Sequence, residues 1–127
     1  MLKDIVDVLA DPADLSPLAG ADDFSRLVSE SGHSYDVAKQ GYVTLAAGAG
    51  LHHEGDSLEM VNSRETFLSN GHFAPFVEAV SDSIAETVEA CAGSEDPVIL
   101  EVGAGTGYYL AHTLDLIEGS RGVGLDI

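Results

Sequence analysis

Apolar positions along the 127 residues change their spacing twice, and the changes divide the chain into three blocks. In residues 1–51 the apolar runs are short and broken by turn-forming pairs, among them Asp11-Pro12, Ser16-Pro17, Ser31-Gly32 and Gln40-Gly41. Residues 24–28 and 42–45 read as short strands, with a turn at 29–32 after the first. This block is expected to be a small, loop-rich β unit with little core of its own.

Residues 52–95 read as helical. Asp56 as N-cap with Glu59 three positions on has the spacing of a capping box, and Met60, Val61, Arg64, Phe67 and Leu68 recur at helical intervals up to a stop at Asn70-Gly71. A second helix follows Pro75, with Phe76, Val77, Val80, Ile84, Val88 and Cys91 as its buried stripe and Glu78, Asp82, Glu86 and Glu89 on other faces. In residues 96–127 the pattern changes again. The nearly continuous apolar run 98–102 reads as a buried parallel strand, 103–107 as a glycine-rich turn, 108–118 as a helix with Leu110, Leu114 and Ile117 on one face, and 123–127 as a second buried strand. That is one β-α-β unit, and the fold class is α/β.

Composition narrows the functional classes. Five Lys and Arg stand against 22 Asp and Glu, a net charge of −17, yet 45% of residues are hydrophobic, too many for a disordered acidic tail. So acidic a surface repels phosphate and argues against this chain gripping nucleic acid unaided. A single cysteine, Cys91, excludes an intrachain disulfide framework and a cysteine-rich zinc site. The first ten residues lack a leader's basic and small-residue features, and the uncharged stretch around 41–51 is too short and glycine-rich to span a bilayer. A cytoplasmic protein with no membrane partner is expected.

The informative stretch is Glu101-Val102-Gly103-Ala104-Gly105-Thr106-Gly107. Glycines between a parallel strand and a helix let the backbone approach a ligand closely, and the helix start offers free amides. On the bland reading the glycines make only a tight turn. A dinucleotide fingerprint requires a third glycine where Tyr108 stands. The stretch instead resembles the S-adenosylmethionine site of class I methyltransferases. In those enzymes the first strand ends in an acidic residue, here Glu101, and the second in a carboxylate that accepts hydrogen bonds from the ribose hydroxyls, here Asp126. The resemblance implies cofactor contacts at Glu101, Gly103, Gly105, Thr106, Gly107 and Asp126.

Further motifs narrow it. Residues 35–45, Gly55-Asp56 with Met60, Arg64 and Phe67-Leu68, then Gly71-His72-Phe73, Pro75 and Gly107-Tyr108-Tyr109 resemble the bacterial large-subunit (23S) rRNA guanine-N1 methyltransferases, a family that includes macrolide-resistance members. The likeness runs from about Ser16 to the end of the chain. It implies a zinc-binding RNA-recognition module at 1–51, a helical connector at 52–95 and the start of the methyltransferase domain at 96–127. The family's Cys-Pro-Leu-Cys knuckle reads Ser16-Pro17-Leu18-Ala19 here, and its Cys-x-x-x-His reads Ser29 to His33, so His33 alone of the four ligands remains. One imidazole with serine and alanine cannot form a tetrahedral zinc site. The module is therefore expected to be degenerate, to bind no zinc, and to be held by packing of Phe24, Val28, Tyr35, Tyr42 and Leu45, with His33 structural or exposed. By the same resemblance Phe73 lies at the cofactor, while Arg64 and His72 either contact substrate or pin the helical block. His52-His53 reads as a solvated pair and Cys91 as a small core residue.

The implied activity is methyl transfer from S-adenosylmethionine to a guanine of large-subunit rRNA, leaving S-adenosylhomocysteine. The acceptor-binding loops and any base fall on later strands in this family, so no catalytic residue is assigned. The chain is expected to be the N-terminal portion of a longer enzyme, inactive alone, with an open strand edge that could pair two copies into a homodimer. Two other classes compete: a non-catalytic acidic interaction module and an NAD-type oxidoreductase fragment.

Overall fold

A computed structural model of the chain describes residues 2–46, 55–91 and 96–127. The pair His52-His53 lies outside the described residues. The fold is mixed α/β and divides into two compact units, Met1–His52 and His53–Ile127. No described helix is long and apolar enough to cross a membrane.

The first unit is an antiparallel meander of β1 (Leu18–Ala21), β2 (Arg26–Ser29) and β3 (Ser34–Asp36), preceded by two short 3₁₀ turns at Leu2–Asp4 and Val6–Val8. The register sets Leu18 against Ser29, Gly20 against Leu27 and Leu27 against Tyr35. Directly paired residues share a face, so Leu18, Leu27, Ser29 and Tyr35 line one side of the sheet. Leu27 is fully buried there and Leu18 nearly so. Between β1 and β2 the chain reverses through Asp22, Asp23 and Phe24, all with φ between 48° and 61°. This left-handed run is unfavourable for side-chain-bearing residues. It is supported by an Asp22–Arg26 ion pair and by the Phe24 ring, which lies on Gly20 so closely that a Cβ there would sit 2.4 Å from it.

Two expected strands differ. The segment at 24–28 begins only at Arg26, because Phe24 is spent on the reversal. The segment at 42–45 forms no strand, only an isolated bridge from Val43 to Val37. There the chain doubles back through Gly41 at φ 94°, with Gly41 N–H donating to Ala38 and Ala38 N–H to the Tyr42 carbonyl, each at 2.8 Å. Tyr42 is 61% exposed and so is not part of the packing expected of it.

The second unit contains α1 (Leu58–Ser69), α2 (Ala74–Ala90), β4 (Val98–Val102), α3 (Tyr108–Leu116) and β5 (Arg121–Leu125). Helix α1 is capped by Ser57, whose Oγ accepts from Met60 N–H at 3.3 Å, and not by Asp56, whose carboxylate turns to Arg64. Gly71 at φ 77° ends the turn after Asn70. Helix α2 packs on α3, with a buried hydroxyl pair, Ser81 Oγ to Thr113 Oγ1 at 3.1 Å, and the Phe76 ring edge-on to Tyr109 at 6.1 Å. Phe76 and Cys91 are exposed, against the expected stripe: Val77 and Ser81 are the positions α2 buries, with Val80, Ile84 and Val88 only half-buried.

β4 and β5 are parallel, pairing Val98 with Arg121 through Val102 with Leu125. Helix α3 packs on this pair, and β4 alternates: Ile99 and Glu101 are half-buried while Val98, Leu100 and Val102 are exposed. The strands are thus covered on one face and not on both, as the apolar run alone suggested. Glycines on β5 let the helix come close. A Cβ on Gly122 would meet Leu114 Cδ1 at 2.6 Å, and one on Gly124 would meet Ala104 Cβ at 3.1 Å.

Candidate functional site

The turn from β4 into α3 is held open by three left-handed glycines, Gly103 (φ 75°), Gly105 (φ 54°) and Gly107 (φ 75°). A Cβ on Gly103 or Gly107 would meet nothing within 4 Å, so glycine is required there by conformation and the loop's outer side is open. Gly103 and Ala104 N–H both donate to the Leu125 carbonyl, at 2.7 and 2.9 Å. These bonds staple the loop to the end of β5 and set the next residue, Asp126, across its mouth. Asp126 accepts from Gly105 N–H through Oδ2 and from Ile127 N–H through Oδ1 at 2.7 Å. Both oxygens of the Asp126 carboxylate are thus engaged by backbone amides at the open glycine loop.

Glu101 has a second task. Its Oε2 accepts from Leu110 N–H at 3.2 Å, satisfying an amide in the first turn of α3, whose N-cap, Gly107, has no side chain to do so. Thr106 and Gly107 form one wall of a groove of about 520 Å³, with Tyr108 and His112 of α3, and Gly71 and Ala74 from the α1–α2 corner among the others. Phe73, between those corner residues, turns into a row of edge-on rings instead, 5.8 Å from Phe67 and 6.4 Å from Phe76. His72 stacks at 5.1 Å on Phe67 in the same row. Arg64 lies at the loop: its Nη1 is 2.5 Å from Asp56 Oδ2 and 3.8 Å from where a Gly105 Cβ would stand. A larger hollow of about 780 Å³ is walled by α1 and its end residue Asn70 alone and is an open helix face.

The first unit holds a polar cluster that the sequence reading missed. Asp11 is fully buried, and its Oδ1 accepts from Ala13 N–H at 2.8 Å and Tyr35 OH at 2.7 Å, while Oδ2 lies 2.7 Å from His33 Nδ1. Burial pushes this carboxyl up, but the bonds from Ser29, Ala13, Tyr35 and His33 outweigh it and hold the group well below the usual carboxylate range. The bond to Asp11, then burial and the nearby negative charge, push Tyr35 up to about 12. Asp11, Asp14 and His33 offer one donor atom each within 4.8 Å of one another. Of the four positions matching the family's knuckles, Ser29 and His33 meet, His33 N–H donating to Ser29 Oγ at 3.1 Å, and Ser16 is turned to Asp14. Hydroxyls, a methyl and an imidazole do not supply a thiolate zinc site.

No protein-family model matches the chain. It is 40% identical over 106 residues to a Micromonospora griseorubida protein provisionally named 23S rRNA (guanine-N(1)-)-methyltransferase, covering 76% of this chain and 36% of that protein. It is 36% identical over 128 residues to the Streptomyces fradiae 23S rRNA (guanine(748)-N(1))-methyltransferase, covering 100% of this chain and 43% of that enzyme. The chain therefore spans less than half the length of these curated relatives. Both relatives carry the name of 23S rRNA guanine-N1 methyltransferases, and the chain is a homologue of part of each.

Proposed function

We propose that residues 96–127 carry the S-adenosylmethionine loop of an rRNA guanine-N1 methyltransferase, with the first unit in the place of the family's recognition module. The observation that carries this reading is the open left-handed loop at Gly103, Gly105 and Gly107 with the Asp126 carboxylate across its mouth. Asp126 would take the ribose hydroxyls, exchanging the Gly105 amide for them. Gly105 and Thr106 would offer their amides, and Glu101 would fix the start of α3 from below. The cofactor, when bound, supplies an electrophilic sulfonium methyl; orientation of the acceptor against it would account for most of the acceleration. No side chain of this chain is assigned as a base. Phe73, which the resemblance puts at the cofactor, packs in the aromatic row with Phe67 and Phe76 and does not line the groove beside Thr106 and Gly107, so no cofactor contact is proposed for its ring.

The reading also holds that the first unit needs no zinc, because Asp11 already has its oxygens engaged by Ala13, Tyr35 and His33. Calorimetric titration of the chain with S-adenosylhomocysteine and with NAD tests the cofactor assignment. Binding of the homocysteine derivative, weakened by Asp126→Ala, is expected. Binding of NAD alone would favour an oxidoreductase, and binding of neither an interaction module suited to the charge of −17.

A further inference from the structure

The groove of about 520 Å³ between α3 and the end of α1 has a one-sided chemistry. Gly71, Ala74 and Ala111 line it with little side chain, which leaves a slot for a flat ring. Tyr108 and His112 supply aromatic rings to it, their centroids 4.4 Å apart. Tyr109 meets Tyr108 edge-on at 5.5 Å and Phe76 meets Tyr109 at 6.1 Å, so a packed row holds the Tyr108 ring. His112 Nδ1 lies 2.8 Å from the Tyr108 carbonyl; a carbonyl only accepts, so Nδ1 carries the hydrogen. In the neutral imidazole Nε2, the outer nitrogen, is then a bare acceptor. The Glu65 carboxylate lines the groove from α1, and Ser69 Oγ spends its hydrogen on the Glu65 carbonyl, so its hydroxyl too is left as an acceptor. Among the described residues lining the groove there is no Lys or Arg. Such a groove repels phosphate and suits an uncharged, flat ring that carries donors on its edge.

We propose that this groove is a recognition subsite for an unstacked guanine base of the RNA. The ring lies against Tyr108 and His112, and its N1–H and N2 amino donors go to His112 Nε2 and the Glu65 carboxylate. The inference rests on the rRNA reading of the chain. Edge chemistry selects the base. Guanine sets an N–H and an amino group side by side, whereas adenine and cytosine place an acceptor next to their amino group and uracil has one N–H between two carbonyls. An unpaired loop or bulge presents that edge free, and binding led by the base needs no phosphate contact from so acidic a chain. A guanine held this way has its N1 hydrogen engaged and its N1 closed to methyl transfer. The subsite therefore reads a base other than the one methylated.

The test compares nucleosides that differ along that edge. The full chain is titrated with guanosine, inosine and 1-methylguanosine and followed by amide proton–nitrogen spectra. Guanosine should shift the signals of Ala74, Ala111 and His112. Inosine, which lacks the N2 amino group, and 1-methylguanosine, which lacks N1–H, should each bind about 3- to 10-fold more weakly, the value of one hydrogen bond. Glu65→Ala, with its helices checked by circular dichroism, should weaken guanosine by a similar factor and narrow its advantage over inosine. Absence of guanosine shifts at the groove, or equal binding of guanosine and 1-methylguanosine, overturns the subsite. Titration of the same sample with S-adenosylhomocysteine separates this from the broader reading. Shifts at Gly103 and Asp126 from that ligand, with none from guanosine, strike the subsite alone; guanosine shifts without them strike the cofactor reading alone; shifts from neither strike both.

Discussion

Replacing Leu27 with alanine removes three carbons from the one fully buried leucine among the described residues of the first unit, on the face it shares with Leu18 and Tyr35. At about 0.8 kcal/mol per buried carbon the transfer loss is about 2.4 kcal/mol. The cavity left between β1 and β3 adds to this, for a total of about 3–5 kcal/mol. A unit of this size rarely has more than about 3–5 kcal/mol to lose. Leu27→Ala should therefore unfold residues 2–46 outright while the second unit, which does not contain Leu27, keeps its structure. Amide proton–nitrogen spectra read this residue by residue: signals of β1 to β3 should collapse to unfolded positions while those of α2, β4 and α3 stay dispersed. Retention of dispersed β2 and β3 signals in Leu27→Ala would refute the reasoning. It would show that the Asp11 cluster, and not the leucine core, holds the unit, and Asp11→Asn would then be the unfolding change.

The remaining expectations concern titration, metal, the loop and the helix contact. Asp11 has a depressed pKa in the folded unit, so its contribution is present above the ordinary carboxylate range near 3.8 and is lost as pH falls below it toward the folded value; acid titration followed by β-sheet circular dichroism should show that loss, and Asp11→Asn should flatten it. Tyr35 is raised from 10.0 to about 12, so its contribution is full below pH 10 and disappears as pH rises through 12; the ultraviolet difference between the chain and Tyr35→Phe should show one tyrosinate forming late, and a difference centred at 10 would contradict the Tyr35–Asp11 bond. Elemental analysis after equilibration with zinc should find less than one equivalent, and stoichiometric zinc lost in His33→Ala would reverse the metal-free reading. Gly105→Ala must hold alanine at φ 54°, so it should cost about 1–2 kcal/mol in thermal stability and weaken cofactor binding, whereas unchanged melting would mean the loop is free to rearrange. A double-mutant cycle on Ser81→Ala and Thr113→Val should return about 0.5–1.5 kcal/mol of coupling, the value of one buried hydroxyl pair; zero coupling would mean α2 and α3 are held by apolar and ring contacts such as Phe76–Tyr109.

What the sequence makes legible here is what short-range geometry decides. The run from Glu101 to Gly107 needs only the order strand, glycines, helix to be read, and Asp126 follows from its place at the end of the next strand; the folded chain brings these residues together through the two bonds from Gly103 and Ala104 to Leu125. Helical spacing gave the extents of α1 and α2 but not how much of each stripe is covered. Helix α3 presents Thr113 to Ser81 and the edge of Tyr109 to Phe76, which stays more than half exposed, and Cys91 is exposed at the helix end; no spacing within α2 can reveal this. Asp11 was invisible for a stronger reason. Followed by proline it has the look of a turn residue, and its partners His33 and Tyr35 stand 22 and 24 positions away. A buried carboxylate becomes tolerable only when those donors converge, so its importance exists only in the folded unit. Arg64 lies between these cases. It shares helical spacing with Met60, Val61, Phe67 and Leu68 and reads as one more stripe position, yet the same turn of α1 sets its guanidinium beside Gly105, forty-one residues on. A cation in an acidic unit is readable from composition; that it stands beside the loop, across the Gly105 position from Asp126, is a consequence of the tertiary fold.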